Sequence, residues 1–160
     1  QKPGEDSSRI FLLEKAVLSA QRLTGHELSG VDVQVHWPQD THVRGDEPAV
    51  IGVMINLLSN AALALRKAAR AQPRIDVTGQ HRDGRLYVTV RDNGTGIEPG
   101  NLTRVFEPFF TTRGVGQGLG LGLSVSYAII QRHGGTLSVN SEAGVWTEFA
   151  FDLAVADVAV

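Results

Sequence analysis

The sequence predicts an α/β (α+β) two-layer sandwich, a mixed sheet with helices packed on one face. Three observations carry that expectation. Stretches with apolar residues at helical spacing alternate with stretches whose apolar residues recur at every second position. Their order is helix, strand, long helix, hairpin, loop, helix, hairpin, which suits a sheet covered by helices. A length of 160 residues with 42% hydrophobic and 20% charged content suffices for one domain around one core.

Residues 1–8 are polar, include Pro3 and Gly4, and read as a linker or tail before a domain spanning residues 9–153. Ile10 to Leu13 lead into a helix of about ten residues with Leu13, Ala16, Val17, Ala20 and Leu23 as its apolar face. Val31, Val33 and Val35 then alternate with Asp32, Gln34 and His36, the pattern of a strand with one buried side, and Val43 to Gly45 are a candidate short strand. Asp46-Glu47-Pro48 starts a long helix: a capping side chain, an acid near the positive dipole end and a proline in the first turn. Its apolar face is Val50, Val53, Met54, Leu57, Leu58, Ala61, Ala64 and Leu65. Asn56 and Asn60, four apart, stack on one side of that helix and need partners, either neighbouring loops or a ligand.

Arg74 to Gln80 and Leu86 to Arg91 read as two strands joined through Asp83-Gly84, a hairpin turn. The second runs into Asp92-Asn-Gly-Thr-Gly-Ile97, where an acid at a strand end precedes two glycines; that is either a tight turn or a ligand-touching loop. A short turn or helix near Asn101 to Arg104 leads to Phe106-Glu-Pro-Phe-Phe110, whose adjacent Phe109 and Phe110 are expected to pack into the core. Glycine occupies every even position from 114 to 122, feeding a helix with Leu121, Val125, Ala128 and Ile129 at helical spacing and Gly134-Gly135 as its C-cap signal. Thr136 to Asn140 and Trp146 to Leu153 form a last hairpin, and residues 154–160 read as a loosely ordered tail.

The glycine run opens a helix, where unpaired N–H groups and the helix dipole favour phosphate. Spacing excludes two phosphate-binding designs. A dinucleotide fingerprint needs an odd offset between glycines, and a P-loop needs Gly-Lys, which the chain lacks. A glycine-rich flap with partner motifs elsewhere remains, beside the plainer reading of a flexible loop ending in a capped helix. The net charge of −2 gives no basic field for nucleic acid, and no apolar run approaches the ~20 residues that span a bilayer. The absence of cysteine fits a reducing compartment. Because Gln1 rather than Met comes first, the chain is expected to be a fragment of a longer protein.

Taken together, Asn56-Leu-Leu-Ser-Asn-Ala61, Asp92 to Ile97, Phe106-Glu-Pro-Phe-Phe-Thr-Thr112 and Gly118-Leu-Gly-Leu-Gly-Leu123 resemble the N, G1, F and G2 boxes of sensor histidine kinases. The chain is thereby similar to the catalytic ATP-binding domain of the gyrase, Hsp90, histidine kinase and MutL superfamily, with its Bergerat-type fold. The F box and the glycine run after it look most like the nitrogen-regulation and C4-dicarboxylate-sensing branch. The resemblance implies ATP and Mg²⁺ as cofactors. By it, Asp92 accepts a hydrogen bond from the adenine amino group, Asn60 ligates Mg²⁺ through a hard oxygen, and Asn56 supports the same site. It further implies that Gly94, Gly96, Ile97 and Phe106 line the nucleotide, with Thr111 and Thr112 in a lid. Gly118, Leu119, Gly120, Leu121 and Gly122 would cradle the phosphates. Arg113 is a candidate γ-phosphate contact, with Arg66 and Lys67 weaker ones.

In gyrase-like and Hsp90-like relatives a glutamate one turn before the magnesium asparagine activates water. Here that position is Asn56, and an amide is no general base, so transfer to a histidine is expected rather than hydrolysis. None of His26, His36, His42, His81 and His133 follows the family's His-Glu acceptor pattern. The acceptor is therefore expected on dimerisation helices of the parent kinase, with a response regulator downstream and this fragment a monomer that does not autophosphorylate alone. A cytoplasmic location follows, with the parent anchored in the inner membrane where it has membrane segments. The rival readings are a nucleotide-gated interaction module without phosphotransfer and a protein-serine kinase of the same superfamily.

Overall fold

The computed structural model describes residues 9–38, 40–110 and 122–156. The linker at 1–8, the lid and glycine run at 111–121, and the last four residues lie outside the described residues.

The long helix anchors the architecture. Asp46 caps it as its sequence indicates, accepting from the Ala49 N–H at 3.3 Å, and helix α2 runs Glu47–Ala68. Val50, Val53, Met54, Leu57, Leu58, Ala61, Ala62 and Leu65 are buried along it. Burying each large aliphatic side chain is worth about 1.5–3 kcal/mol, so packing rather than propensity holds this helix. Ala62 thus replaces Ala64 on the expected buried face; Ala64 is half-buried and turned toward the loop after Asp92. With 22 residues and an 18-residue window of mean hydropathy 1.8, α2 does have the length and composition of a membrane span, contrary to the expectation from the sequence. The apolar side chains that give it this hydropathy form the domain's own core.

Helices α1 (Leu13–Leu23) and α4 (Gly122–Arg132) flank α2. Leu23 is 69% exposed, so the α1 face ends at Ala20. On α4 the expected stripe is also displaced. Val125 and Ala128 are exposed, while Ser126 and Ile130 are buried and Leu123, Tyr127 and Ile129 are half-buried against the core. The reason is a polar contact: α4 turns Ser126 toward Asn56 of α2, which rotates Val125 outward.

The sheet under these helices has five strands in the order β2-β4-β5-β7-β6: β2 (Asp32–His36), β4 (Arg74–Arg82), β5 (Arg85–Asp92), β6 (Ser138–Glu142) and β7 (Trp146–Ala154). Only β2 and β4 are parallel, because α2 carries the chain between them; the other pairs are antiparallel. Ile75, Val77, Leu86, Val88, Val90, Phe149, Phe151 and Leu153 form the buried side of the sheet. Asp83 and Gly84 both take positive φ, 51° and 76°, as a tight hairpin of right-handed twist requires. At the end of α4, Gly134 (φ 77°) and the Gly135 N–H bond to the Ile130 carbonyl close the helix as the Gly-Gly pair foretells.

Two pairings escaped the sequence reading. Ile10–Leu12 forms β1, antiparallel to β3 (His42–Arg44), in a separate two-stranded sheet. The chain also stays ordered past Leu153: β7 includes Ala154, Val155 bridges Val43, and the Ala156 N–H donates to the His42 carbonyl. The tail boundary at residue 154 is therefore too early. A last short helix, α3, spans Pro99–Leu102.

Candidate nucleotide-binding site

Asp92 ends β5 on its buried side, opposite Thr147 of β7, and is 3% exposed. Alternation along the strand, after Leu86, Val88 and Val90, leaves it no other side. One carboxylate oxygen, Oδ1, accepts from the Gly94 N–H at 2.9 Å. Burial pushes this carboxyl up to about 6, while the Gly94 N–H pulls in the opposite direction. A buried carboxylate with a costly charge, kept at the end of a strand, is what a site needs to select a partner with a matching donor.

Two glycines bring distant segments onto α2. A methyl group on Gly94 would lie 2.8 Å from both the carbonyl carbon and Cβ of Ala64, and 2.8 Å from Asp92 Oδ1. On Gly122 it would lie 2.2 Å from Asn56 Oδ1. Asn56 in turn donates from Nδ2 to Ser126 Oγ at 3.3 Å. The start of α4, the asparagine face of α2 and the loop after β5 thus meet along one helix, at positions more than 20 residues apart in sequence. Asn60 lies one turn beyond Asn56 on α2.

The remaining predicted residues divide clearly. Gly96, at φ 69°, is glycine for a packing reason: a methyl group there would lie 2.3 Å from the Glu142 carbonyl oxygen of the β6–β7 hairpin. The Ile97 N–H donates to Ser141 Oγ at 2.7 Å and fixes the same loop to β6. Phe106 stacks 5.1 Å from Tyr127 of α4 and 6.2 Å from Phe149 of β7. Phe109 departs from its expected core position: it is 69% exposed, because a left-handed backbone (φ 65°) turns it away from the body, while Phe110 is half-buried under the Arg104 guanidinium. Arg66 and Lys67 are exposed at the end of α2. Thr111, Thr112, Arg113, Gly118, Leu119, Gly120 and Leu121 lie outside the described residues.

Sequence reasoning missed Ser126, Thr147 and Ala64. Ser126 and Thr147 are buried polar residues, and only a knowledge of which element each faces marks them as part of the site. Size is no guide either. The larger of two clefts, about 470 Å³, lies among His26, Glu27, Leu65 and Arg66, and the smaller, about 190 Å³, meets Asp92 from the outer face of the sheet among Arg74, Asp76, Arg91 and Trp146.

The donor set suits a nucleotide-held magnesium ion. Among the described residues no three His, Cys, Asp or Glu side chains converge to make a metal cage. Mg²⁺ takes one or two hard protein oxygens and completes its shell with phosphate and water, which fits the amide oxygens of α2.

A helix-covered mixed sheet with a buried strand-end carboxylate beside an asparagine-bearing helix defines an ATPase-type nucleotide-binding domain. The chain belongs to the family of histidine kinase-, DNA gyrase B- and HSP90-like ATPases, whose pattern it matches over residues 45–157. Sensor kinases are among its relatives in that family. It is 40% identical over 126 residues to the two-component sensor PprA of Pseudomonas aeruginosa, covering 75% of this chain and 14% of that protein. It is 32% identical to sporulation kinase A of Bacillus subtilis, covering 92% of this chain and 24% of that protein. The solved catalytic domain of histidine kinase ThkA superposes with a TM-score of 0.80 at 26% identity, over 92% of this chain and 95% of that one. The chain is a histidine-kinase-type ATP-binding catalytic domain, and it spans less than a quarter of the length of these two curated relatives.

Proposed function

We propose that this domain binds ATP with Mg²⁺ and passes the γ-phosphoryl group to a histidine on dimerisation helices outside this chain, from which a response-regulator aspartate receives it. The observation that carries the reading is the convergence on α2: Gly94 presses Asp92's loop against Ala64 while Gly122 presses the start of α4 against Asn56. In this reading Asp92 is the base-selecting carboxylate, and Asn56 and Asn60 are the amides of α2 that serve the phosphate end. Asp92 accepts from the exocyclic amino group of adenine, Asn60 offers its oxygen to the metal, and Asn56, held by Ser126, supports that position. Bound magnesium supplies neutralisation of phosphate charge. Asn56 also bears on the acceptor. An amide cannot take a proton from water, so a nucleophile brought by a partner suits the site better than hydrolysis.

Phe109, three residues along from Phe106 and 69% exposed, is in this reading a candidate contact for the partner. The Phe106 to Thr112 box and the glycine run support placing the parent in the nitrogen-regulation and C4-dicarboxylate-sensing branch, and the need for ATP supports a cytoplasmic domain.

Isothermal titration with ADP and a non-hydrolysable ATP analogue, with and without Mg²⁺, tests the pocket. Binding that depends on magnesium, is lost in Asp92→Ala and becomes magnesium-insensitive in Asn60→Ala is the expected outcome. Equal binding by wild type and Asp92→Ala would overturn the assignment.

A further inference from the structure

Just beyond α2, Ala69 takes a left-handed conformation (φ 50°) and ends the helix, so the next side chain, Arg70, reaches the loop after β5. Its Nε donates to the Asn93 carbonyl at 2.8 Å. Its Nη2 donates to the Gly94 carbonyl at 3.0 Å and also to the Gly144 carbonyl in the β6–β7 turn. One guanidinium thus ties three carbonyls from two loops, a use of its fixed fork that an ammonium cannot copy.

The Asn93 carbonyl and the Gly94 N–H belong to one planar peptide unit, and among the described residues no peptide bond is cis. In a trans unit the C=O and N–H point in opposite directions. Arg70 therefore holds one end of the group whose other end donates to Asp92 Oδ1. A cation on the carbonyl oxygen also polarises the unit and strengthens its N–H as a donor. The Asn93 side chain fixes the same loop from the far side, donating from Nδ2 to the Gln72 carbonyl at 3.0 Å and accepting from the Arg74 N–H at 2.8 Å. Neither of those bonds reaches the Gly94 end.

We propose that Arg70 is a positioning residue for Asp92: by gripping the carbonyl end of the Asn93–Gly94 peptide it sets the aim of the N–H that orients the carboxyl, and through it the preference for a purine bearing an exocyclic amino group. The assignment rests on the reading of Asp92 as the base-recognising residue. Arg70 itself touches no ligand, and loss of its side chain acts on selectivity rather than on phosphate contacts.

The test uses the 160-residue chain as wild type, Arg70→Ala, Arg70→Lys and a surface control, Arg22→Ala, with thermal melts to establish folding. Arg74, Asp76 and Arg91 alternate with Ile75, Val90 and Asp92, so they lie on the opposite face of the sheet from the Asp92 carboxyl, and they are unchanged in every variant. Carbon-13 carboxyl NMR follows Asp92 without nucleotide, its signal assigned by Asp92→Asn. In Arg70→Ala the Asp92 midpoint should rise by about half a pH unit, because its one described donor is no longer held and polarised. Titration with ATP and inosine triphosphate, which lacks the amino group, should show ATP affinity falling about tenfold and inosine triphosphate changing little. Arg70→Lys should fall between, with one carbonyl regained, and Arg22→Ala should match wild type. An unchanged Asp92 midpoint with both nucleotides weakened in proportion would overturn the proposal and leave Arg70 as a stabilising tie. If Arg70→Ala fails to fold, the same two readouts on Arg70→Lys decide. A wild-type chain that does not distinguish the two nucleotides would refute the base-recognition reading, while the carboxyl titration would still judge whether Arg70 positions Asp92.

Discussion

At pH 8 the Asp92→Asn chain is expected to melt above the wild type. Asp92 is 3% exposed, and burial lifts its carboxyl from an ordinary 3.8 to about 6. Below about pH 3.8 the group is protonated in both folded and unfolded chains. Between 3.8 and about 6 the folded chain keeps the proton and the unfolded chain loses it, so this residue's contribution to stability falls as pH rises. Above about 6 the loss is complete, and it amounts to roughly 3 kcal/mol at about 1.4 kcal/mol per pH unit. Asparagine has nearly the same shape, and its oxygen keeps the Gly94 N–H as donor, but its amide nitrogen must still be buried. The net gain at pH 8 should therefore be about 1–2 kcal/mol, or about 2–4 °C in Tm for each kcal/mol at this size. Circular dichroism melts of both chains from pH 4.5 to 8 measure it. The difference between variant and wild type should shrink as pH falls through about 6. Adding ATP and Mg²⁺ should reverse the order at pH 8, since only the wild type gains stability by binding. A variant that melts at or below the wild type at every pH would refute the reasoning that Asp92 is kept for its site at the expense of the fold.

Gly122→Ala places a methyl 2.2 Å from Asn56 Oδ1, the end of a flexible side chain; a near-normal melt with weaker magnesium-dependent nucleotide binding by calorimetry is expected, since the amide moves and the Ser126 contact is lost. Gly96→Ala is different in kind, because the obstacle is the Glu142 backbone carbonyl at 2.3 Å and φ is 69°; chemical denaturation should show a loss of roughly 2–4 kcal/mol. Phe109→Ser should leave stability within about 0.5 kcal/mol of wild type and slow phosphoryl transfer to acceptor helices added in trans.

Features written in short sequence were legible. The Asp46-Glu47-Pro48 start of α2, the Asp83-Gly84 turn and the Gly134-Gly135 stop each depend on neighbours within a few residues, and each stands where its chemistry put it. Features set by distant partners were not. Val125 and Ser126 exchange roles because α4 turns to meet Asn56, 70 positions away. Ala154 to Ala156 stay ordered because Arg85 of β5 pairs with Ala154 and β3 is there to pair with Val155 and Ala156. At the proposed site, residue type and spacing left Asp92 and the two asparagines of α2 open between a plain structural role and a ligand, and the resemblance of their boxes favoured the ligand; the reasons for Gly96 and for Arg70 lie in backbone groups of the loop after β5 and of the β6–β7 hairpin that no local pattern encodes.

The account's central claim is that the ATP held here is spent on a histidine. Incubating the chain with γ-labelled ATP, Mg²⁺ and a separately expressed pair of histidine-bearing dimerisation helices from a sensor kinase of this family tests it most directly. The account predicts label on the helices that is acid-labile and stable to base, absent from Asp92→Ala and Asn60→Ala reactions. ATP binding with no transfer would point to a nucleotide-gated module, acid-stable label on serine would point to a serine kinase, and either result would contradict it.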